Sequence, residues 1–369
     1  MRLLVVNPSP VRGGAEQMLL DLCTRTTRLD VTVACLADGP FVDDLSAAGV
    51  RVERIPAGRL RNPWAWARTV RRLVRLAHTH DLVVGWQVKG HYYGTPAARL
   101  ARAPVAWWDH GVRPARGEPR YLVDNLLPRS LRADLVVGSS RAIAARHAPA
   151  RTIYPGISLE PYTHASRTDA RAGLGLEPDE QAVGIVGRLQ PWKGQHVLLR
   201  AAPAVLEGHP RAHIIVIGSE LGGFSAGYRD ELEKLAADLG VTARVSFLGQ
   251  RDDVPALLPG LDVFVNASFG EPFGIVTVEA MAAGVPVVVT AAGGAPEIVD
   301  DGATGMLVVP GDARSLAEAI DALLTEPDRS GALVAAGLRT VRERFEVGRF
   351  VREVEELADE LTRARAKAR

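Results

Sequence analysis

The residues best suited to chemistry are two carboxylates and two cations. Glu271 and Glu279 are separated by seven residues in the stretch EPFGIVTVEAMAAGVP. Arg188 and Lys193 stand five positions apart in GRLQPWKG, directly after an apolar run. Two cations at that spacing can clamp a diphosphate through charge-assisted hydrogen bonds. The stretch around the glutamates predicts a helix that starts near Phe273 and stops at Gly284, with Pro286 opening the next strand. Its first N–H groups lack partners and carry partial positive charge, which suits an anion. Glu279 falls about one and a half turns further on, roughly 8 Å from Gly274 at 1.5 Å per residue. A ligand with a sugar, a diphosphate and a ribose can then touch Glu271, the helix start and Glu279 in turn. The spacing fits equally a buried helix with one loop glutamate near its dipole and another on its solvent face. Arg188 and Lys193, by themselves, fit two solvated loop cations as well.

These groups need a scaffold, and the chain supplies one twice over. Apolar strand runs alternate with amphipathic helical runs, the pattern of a parallel sheet with helices on both faces. Strands are expected at Leu3–Asn7, Val31–Leu36, Val52–Ile55, Leu82–Trp86, Val105–Trp108, Leu135–Gly138 and Arg151–Tyr154. A stretch rich in Gly, Pro, Thr and Ser, Pro155–Gly175, reads as a linker. The alternation then resumes at Val183–Val186, His213–Ile217, Val245–Leu248, Val263–Asn266, Val287–Thr290 and Met306–Val309. The last segment, Arg349–Arg369, reads as a charged amphipathic helix. The fold class is therefore α/β, with two doubly wound domains, 1–164 and 165–348, followed by the helix 349–369.

Ligands of such sheets bind at the carboxyl ends of the strands, which brings further residues forward. Gly13 and Gly14 follow the first strand and lead into a helix, in a loop that lacks the G-x-G-x-x-G dinucleotide fingerprint. His110 and Gly111 lie just past the strand that ends in Trp107 and Trp108, and His110 reads either as a hydrogen-bonding partner of a substrate or as a structural histidine. Gly111–Ser130 begins polar and Pro-rich, then turns helical, and is placed to shape an acceptor cleft. Gly249-Gln250-Arg251-Asp252 is placed to read a base through backbone groups. The sequence contains no D-x-D to hold a metal–diphosphate, no P-loop and no GxSxG elbow.

Composition narrows the class further. At 369 residues with 47% hydrophobic content, two domains with sizeable cores are expected. No uncharged run is long and unbroken enough to read as a membrane span. The opening strand is too short for a signal-peptide core. Cys23 and Cys35 read as reduced core thiols. The net charge of +1 hides an asymmetry: residues 1–164 hold 23 Arg and Lys against 13 Asp and Glu, a net +10. Within that half Arg59–His78 is basic and amphipathic, with Trp64, Trp66, Arg68, Arg71, Arg72 and Arg75. It reads either as a sheet-packing helix with a solvated arginine face or as a helix lying on an anionic membrane surface. A cytoplasmic chain is expected, with a peripheral position at the inner membrane face as the second reading.

Taken together, the chain resembles the GT-B-fold retaining glycosyltransferases of family 4, the glycosyl transferases group 1. The matches are Gly13-Gly14-Ala15-Glu16, Asp109-His110-Gly111, Gly187-Arg188-Leu189 with Lys193-Gly194, Glu271 through Ala280, Gly284-Val-Pro-Val, and Gly294-Ala-Pro-Glu297-Ile-Val with Asp301-Gly. They run in the family's order over nearly the whole chain. The resemblance implies two Rossmann-like domains facing a cleft, with the last helix crossing back to the first. It implies a nucleotide sugar as donor, UDP-hexose first and GDP-mannose next. No cofactor, metal or nucleic acid is expected.

By that resemblance Arg188 and Lys193 bind the diphosphate, Glu279 the ribose and Glu271 the donor sugar. His110, Arg188, Lys193 and Glu271 form the catalytic group. Gly13, Gly14, Gly187, Arg251, Phe273, Gly274 and Ile275 complete the donor contacts. Trp108, Lys89 and Tyr92 are taken as acceptor contacts. The acceptor itself is an unidentified small molecule, saccharide or anionic lipid-linked hydroxyl. A nicotinamide dehydrogenase, a sugar-nucleotide epimerase and a non-catalytic nucleotide-sugar binding module are the rival readings.

Overall fold

The computed structural model describes residues 1–58, 62–111, 130–163, 166–220 and 225–367. Arg59, the expected helical part of Gly111–Ser130 and the middle of the expected linker lie outside them. The chain forms two compact units, 1–156 with 347–369, and 157–346.

In the first unit seven parallel strands form one sheet among the described residues. They are β1 (Arg2–Asn7), β2 (Asp30–Cys35), β3 (Arg51–Arg54), β4 (Leu82–Trp86), β5 (Val105–Asp109), β6 (Leu135–Gly138) and β7 (Ala150–Thr152). Their order is β3-β2-β1-β4-β5-β6-β7, so the direction of winding reverses between β1 and β4. Leu3 to Val6 and Leu82 to Trp86 are buried without a break. Strands covered on both faces read as continuous apolar runs, which is why their positions are visible in the sequence.

The basic stretch forms the helix Pro63–Ala77. Pro63 fits its first turn, and the Asn62 side chain accepts the N–H groups of Trp64 and Ala65 at 3.1 Å each. Val70, Leu73 and Ala77 face the core formed with Leu4, Val83 and Tyr93. Trp64, Arg68, Arg71, Arg72 and Arg75 face solvent.

The last helix, Val347–Lys367, packs within this unit. Glu355 Oε1 accepts the Thr26 hydroxyl at 2.7 Å and the N–H groups of Thr27 and Arg28 at 3.3 Å each. Arg151 pairs with Glu360 at 2.6 Å. Phe350 meets Trp108 edge-on, with ring centres 5.9 Å apart.

The second unit holds six parallel strands among the described residues: β8 (Gln181–Val186), β9 (Ala212–Ile217), β10 (Val245–Gly249), β11 (Val263–Asn266), β12 (Val287–Thr290) and β13 (Met306–Val308). Their order is β10-β9-β8-β11-β12-β13, with the reversal between β8 and β11. The chain enters this unit at Ile157, whose N–H donates to Phe345 O at 2.8 Å.

The crossings therefore fall earlier than the 164/165 and 348/349 positions expected from composition. Nor is Pro155–Gly175 a bare linker. Ser166 caps a helix, Arg167–Gly173, through the Asp169 N–H at 3.2 Å. Arg167 and Arg171 of that helix pair with Asp262 at 2.6 and 3.3 Å. Composition rich in turn formers conceals this, because the ion pairs are contacts with residues some ninety positions away.

Candidate active site

The site of the second unit grows from the winding reversal between β8 and β11, where open α/β sheets bind ligands. Beyond β8 the chain makes a single 3-10 turn, Pro191–Lys193, and then the helix Gln195–Gly208. Gly194 joins them at φ 75°, and a Cβ there would collide with Ala267 O, just past β11. The two loops are thus pressed together, and the Phe269 N–H donates to Trp192 O at 2.8 Å. In this packing Lys193 Nζ lies 2.5 Å from Glu271 Oε1. It also sits 4.4 Å from the centre of the Trp192 ring, a cation–π distance. Trp192 is held in turn by its indole N–H, which donates to Gln190 Oε1 at 2.8 Å.

Glu271 is buried and doubly tethered. Its Oε1 also accepts the Ser268 hydroxyl at 2.9 Å. Its backbone carbonyl accepts the Gly294 N–H at 2.8 Å. Gly293, at φ 62°, pairs with Glu271 so closely that a Cβ would strike the Glu271 carbonyl. Behind Ser268 lies a buried polar network. The Ser268 N–H donates to Asn266 Oδ1 at 3.3 Å, Asn266 Nδ2 donates to Thr277 Oγ1 at 3.0 Å, and the Thr290 hydroxyl donates to Ser268 O. The ends of β11 and β12 and the first turn of the next helix are thereby locked around one carboxylate.

That helix is Ile275–Ala282, with Gly274 at φ 107° as its N-cap and no side-chain cap. The N–H groups of Gly274, Ile275 and Val276 have no acceptor among the described residues. Glu271 takes one of the three N–H donors of the Lys193 ammonium, which leaves others for an anion. Unpaired positive potential comes from this helix start and from Arg188, which is exposed and makes no ion pair among the described residues. Glu279 lies on the same helix, partly exposed, and receives a hydrogen bond from the Tyr162 side chain. Burial of its carboxyl pushes the pKa up to about 7, against the downward pull of Tyr162.

Three neighbouring loops frame the same edge. The Gly187 N–H donates to Ile217 O at 2.9 Å, Leu189 N–H to Ser219 O at 3.0 Å, and Gly218 N–H to Gly249 O at 2.8 Å. Arg251 turns back on its own loop, meeting Asp253 with two hydrogen bonds of 2.7 and 2.6 Å. The structure thus brings Gly187, Arg188, Lys193, Glu271, Phe273, Gly274, Ile275 and Glu279 onto the loops and helix that leave β8 and β11. Arg251 stands on the loop after β10, engaged with its neighbour. Among the described residues no group of three His, Cys, Asp or Glu is arranged to hold a metal ion.

The remaining candidates belong to the first unit. Gly13 and Gly14 open the helix Gly14–Arg25. The helix start faces a buried carboxylate of its own: Glu16 accepts Gln87 Nε2 at 2.5 Å. Burial raises the Glu16 pKa, opposed by hydrogen bonds from its own N–H, Ser9, Gly13 and Gln87. Gln87 itself stands at φ 59°, a backbone position rare for a residue with a side chain. His110 follows β5 with its ring 4.6 Å from Trp86 and stacked on Trp108 at 6.1 Å. Its Nε2 is buried and without a partner among the described residues. Burial pulls its pKa down to about 4, so the ring is neutral near pH 7.

Two acceptor candidates require correction. Trp108 is 1% exposed, enclosed by Trp86, His110 and Phe350, and offers no face to an acceptor. Tyr92 is buried as well, on the helix Gln87–Ala101 that begins directly after β4. Both lie on elements covered by packing, which a strand-end position alone does not reveal. Lys89 is half-buried, and desolvation lowers its pKa.

Ser268, Asn266, Thr290 and Tyr162 also belong to this site and lie outside the site residues expected from the sequence. A signal existed for two of them, since Asn266 and Thr290 are polar residues closing otherwise apolar strands.

Each unit is a parallel doubly wound sheet, the second carrying an uncapped helix start beside a Lys–Glu pair, and solved glycosyltransferase neighbours place the chain in the GT-B class of fold. Residues 166–339 match the family description "Glycosyl transferases group 1", and residues 12–161 match "Glycosyltransferase Family 4". HepE from Anabaena, solved in complex with UDP and with UDP-glucose, is 30% identical, with a TM-score of 0.87 over 98% of this chain and 100% of its own. A D-inositol 3-phosphate glycosyltransferase of Mycobacterium sp. (strain KMS) is 36% identical over 247 residues, 65% of this chain and 54% of that protein. The matched region thus spans about half the length of that curated relative. The chain belongs to the family 4, group 1 glycosyltransferases. No described helix is long and apolar enough to cross a membrane.

Proposed function

We propose that the chain transfers a hexosyl group, with retention of configuration, from a nucleotide sugar to a hydroxyl of a small phosphorylated acceptor. UDP-hexose is the favoured donor and GDP-mannose the next. The observation that carries this reading is the Lys193–Glu271 pair set beside the uncapped helix start at Gly274. A diphosphate meets the helix N–H groups, Arg188 and Lys193. The donor sugar meets Glu271, and the ribose meets Glu279. HepE's complexes with UDP and UDP-glucose support the donor class. The inositol-phosphate name of the mycobacterial relatives supports the acceptor class.

In the reaction the bond from sugar C1 to the phosphate oxygen breaks and a bond from the acceptor oxygen to C1 forms. The acceptor proton passes to the departing phosphate oxygen on the same face of the sugar. Fixed cations and backbone dipoles stabilise the growing phosphate charge without reorganising. The test is incubation with UDP-glucose and an inositol phosphate, following UDP release and the anomeric signal of the product by NMR. Release of UDP with a retained anomer is expected. A glycosyl group trapped on a side chain would overturn same-face attack, and loss of turnover in EDTA would overturn the expectation that no metal is needed.

A second reading rests on the arginine face of Pro63–Ala77. Arg68, Arg71, Arg72 and Arg75 make no ion pair among the described residues, and with Trp64, 81% exposed, they line a groove of about 480 Å³. No acidic residue occurs between Ile55 and His80. In this reading the face rests on an anionic lipid surface where a lipid-linked acceptor resides. Flotation with phosphatidylglycerol vesicles at low salt tests it, and absence of binding there removes it.

A further inference from the structure

We propose that Arg146 and His147, adjacent residues of one turn, clamp the loop Asp109–Gly111 at both ends and so set the position of His110. This rests on the reading of His110 as a site residue. Asp109 closes β5 and is fully buried. Its Oδ2 lies 2.9 Å from His147 Nε2, while its Oδ1 accepts the Gly111 N–H at 3.0 Å. Arg146 reaches the other end of the loop and donates to Gly111 O at 3.1 Å. His110 therefore stands between a strand-end carboxylate and a glycine, both held from the same turn.

That turn is itself fixed. Ser140 caps the helix Arg141–Ala144 through the Ile143 N–H at 3.2 Å. The His147 N–H donates to Ala144 O at 2.9 Å, and its ring packs edge-on against Trp107 at 4.8 Å. Sheet pairing holds Asp109 opposite Gly138 of β6, the strand that leads into the turn. The clamp thus registers β5 and β6 against each other at their carboxyl ends. Arg146 and His147 act as positioning residues, through the Asp109–Gly111 loop that carries His110.

Positioning errors of about 1 Å cost on the order of a hundredfold in rate. His147→Ala and Arg146→Ala are expected to lower kcat by about 10- to 100-fold, with KM for UDP-glucose changed less than about threefold. His147→Gln keeps an N–H donor near the Nε2 position and is expected to recover most of the lost kcat. The ring signal of His110 in histidine-labelled protein gives a readout independent of turnover. It should shift or broaden in both alanine variants and return in His147→Gln. An unmoved His110 signal in the alanine variants, or equal losses in His147→Ala and His147→Gln, would overturn the clamp. Wild-type protein inactive with every donor would count against the proposed transfer, while the His110 signal would still decide the clamp. If His147→Ala does not fold, Arg146→Ala carries the test.

Discussion

Lys193 Nζ and Glu271 Oε1 are 2.5 Å apart although 78 positions separate the residues in the chain. The contact forms because β8 and β11 are neighbours and each sends its next loop across the same edge. The two groups have different expected duties, the lysine toward phosphate and the carboxylate toward sugar. Glu271→Gln keeps the Ser268 hydrogen bond and the local shape. It should lower turnover by about a hundredfold, on the scale of losing one preorganised polar contact to the reacting sugar. Affinity for UDP, which has no sugar at that end, should stay within about twofold. Initial rates alongside UDP titration check the split, and parallel loss of both would place Glu271 elsewhere.

Glu279 makes the donor site pH-dependent. Burial raises its pKa from the ordinary 4.5 to about 7, so near pH 6 most of the population is protonated before ligand arrives. Ribose hydroxyls donate to the ionised form, so donor binding must expel a proton. UDP affinity should therefore rise as pH increases from 6 to 8, with proton release on binding, and Glu279→Gln should flatten that dependence. In the absence of ligand the sign is opposite. A raised folded-state pKa contributes stability that is complete below the unfolded value and lost as pH rises through about 7. Thermal melts of wild type and Glu279→Gln across that range should converge at low pH.

Gly194 tests the packing of the two loops. At φ 75°, with Ala267 O where a Cβ would be, Gly194→Ala cannot be accommodated without moving the Lys193 turn. The substitution should cost about 1–3 kcal/mol of stability. It should also weaken UDP binding more than a surface change of equal thermal effect does. Unchanged UDP affinity in a destabilised variant would separate the turn from the site.

The sequence exposes the scaffold better than the contacts within it. Leu82–Trp86, Leu135–Gly138, Val263–Asn266 and Val287–Thr290 coincide with the expected strands, because buried parallel strands are unbroken apolar runs between turn residues. The helix after Glu271 starts at Ile275, two residues past the expected Phe273, because Gly274 takes the left-handed cap position. Lys193 and Glu271 are each legible as candidates, yet their ion pair depends on strand order, which periodicity does not encode. Asp109 and His147 are hidden for the same reason, being 38 positions apart. Trp108 misleads in the other direction: a tryptophan beside a strand end looks accessible until the last helix supplies Phe350 to cover it.

The arginine face makes a salt-dependent prediction. Charge attraction to an anionic surface is screened beyond about 8 Å at physiological ionic strength. Vesicle binding should therefore fall steeply as salt is raised. Trp64→Ala and the reversal of Arg68 and Arg72 to Glu should each weaken vesicle binding without altering UDP affinity. Equal binding to phosphatidylcholine vesicles would mark the contact as nonspecific.

Calorimetric titration of UDP-glucose into the wild-type chain and into Lys193→Ala shows whether Lys193 holds the donor diphosphate. One site per chain is expected, with affinity weakened at least about tenfold in the variant, equivalent to about 1.4 kcal/mol of lost interaction. Equal affinity in the two proteins, or no binding of UDP-glucose or GDP-mannose by the wild type, would rule out a donor site built on Lys193.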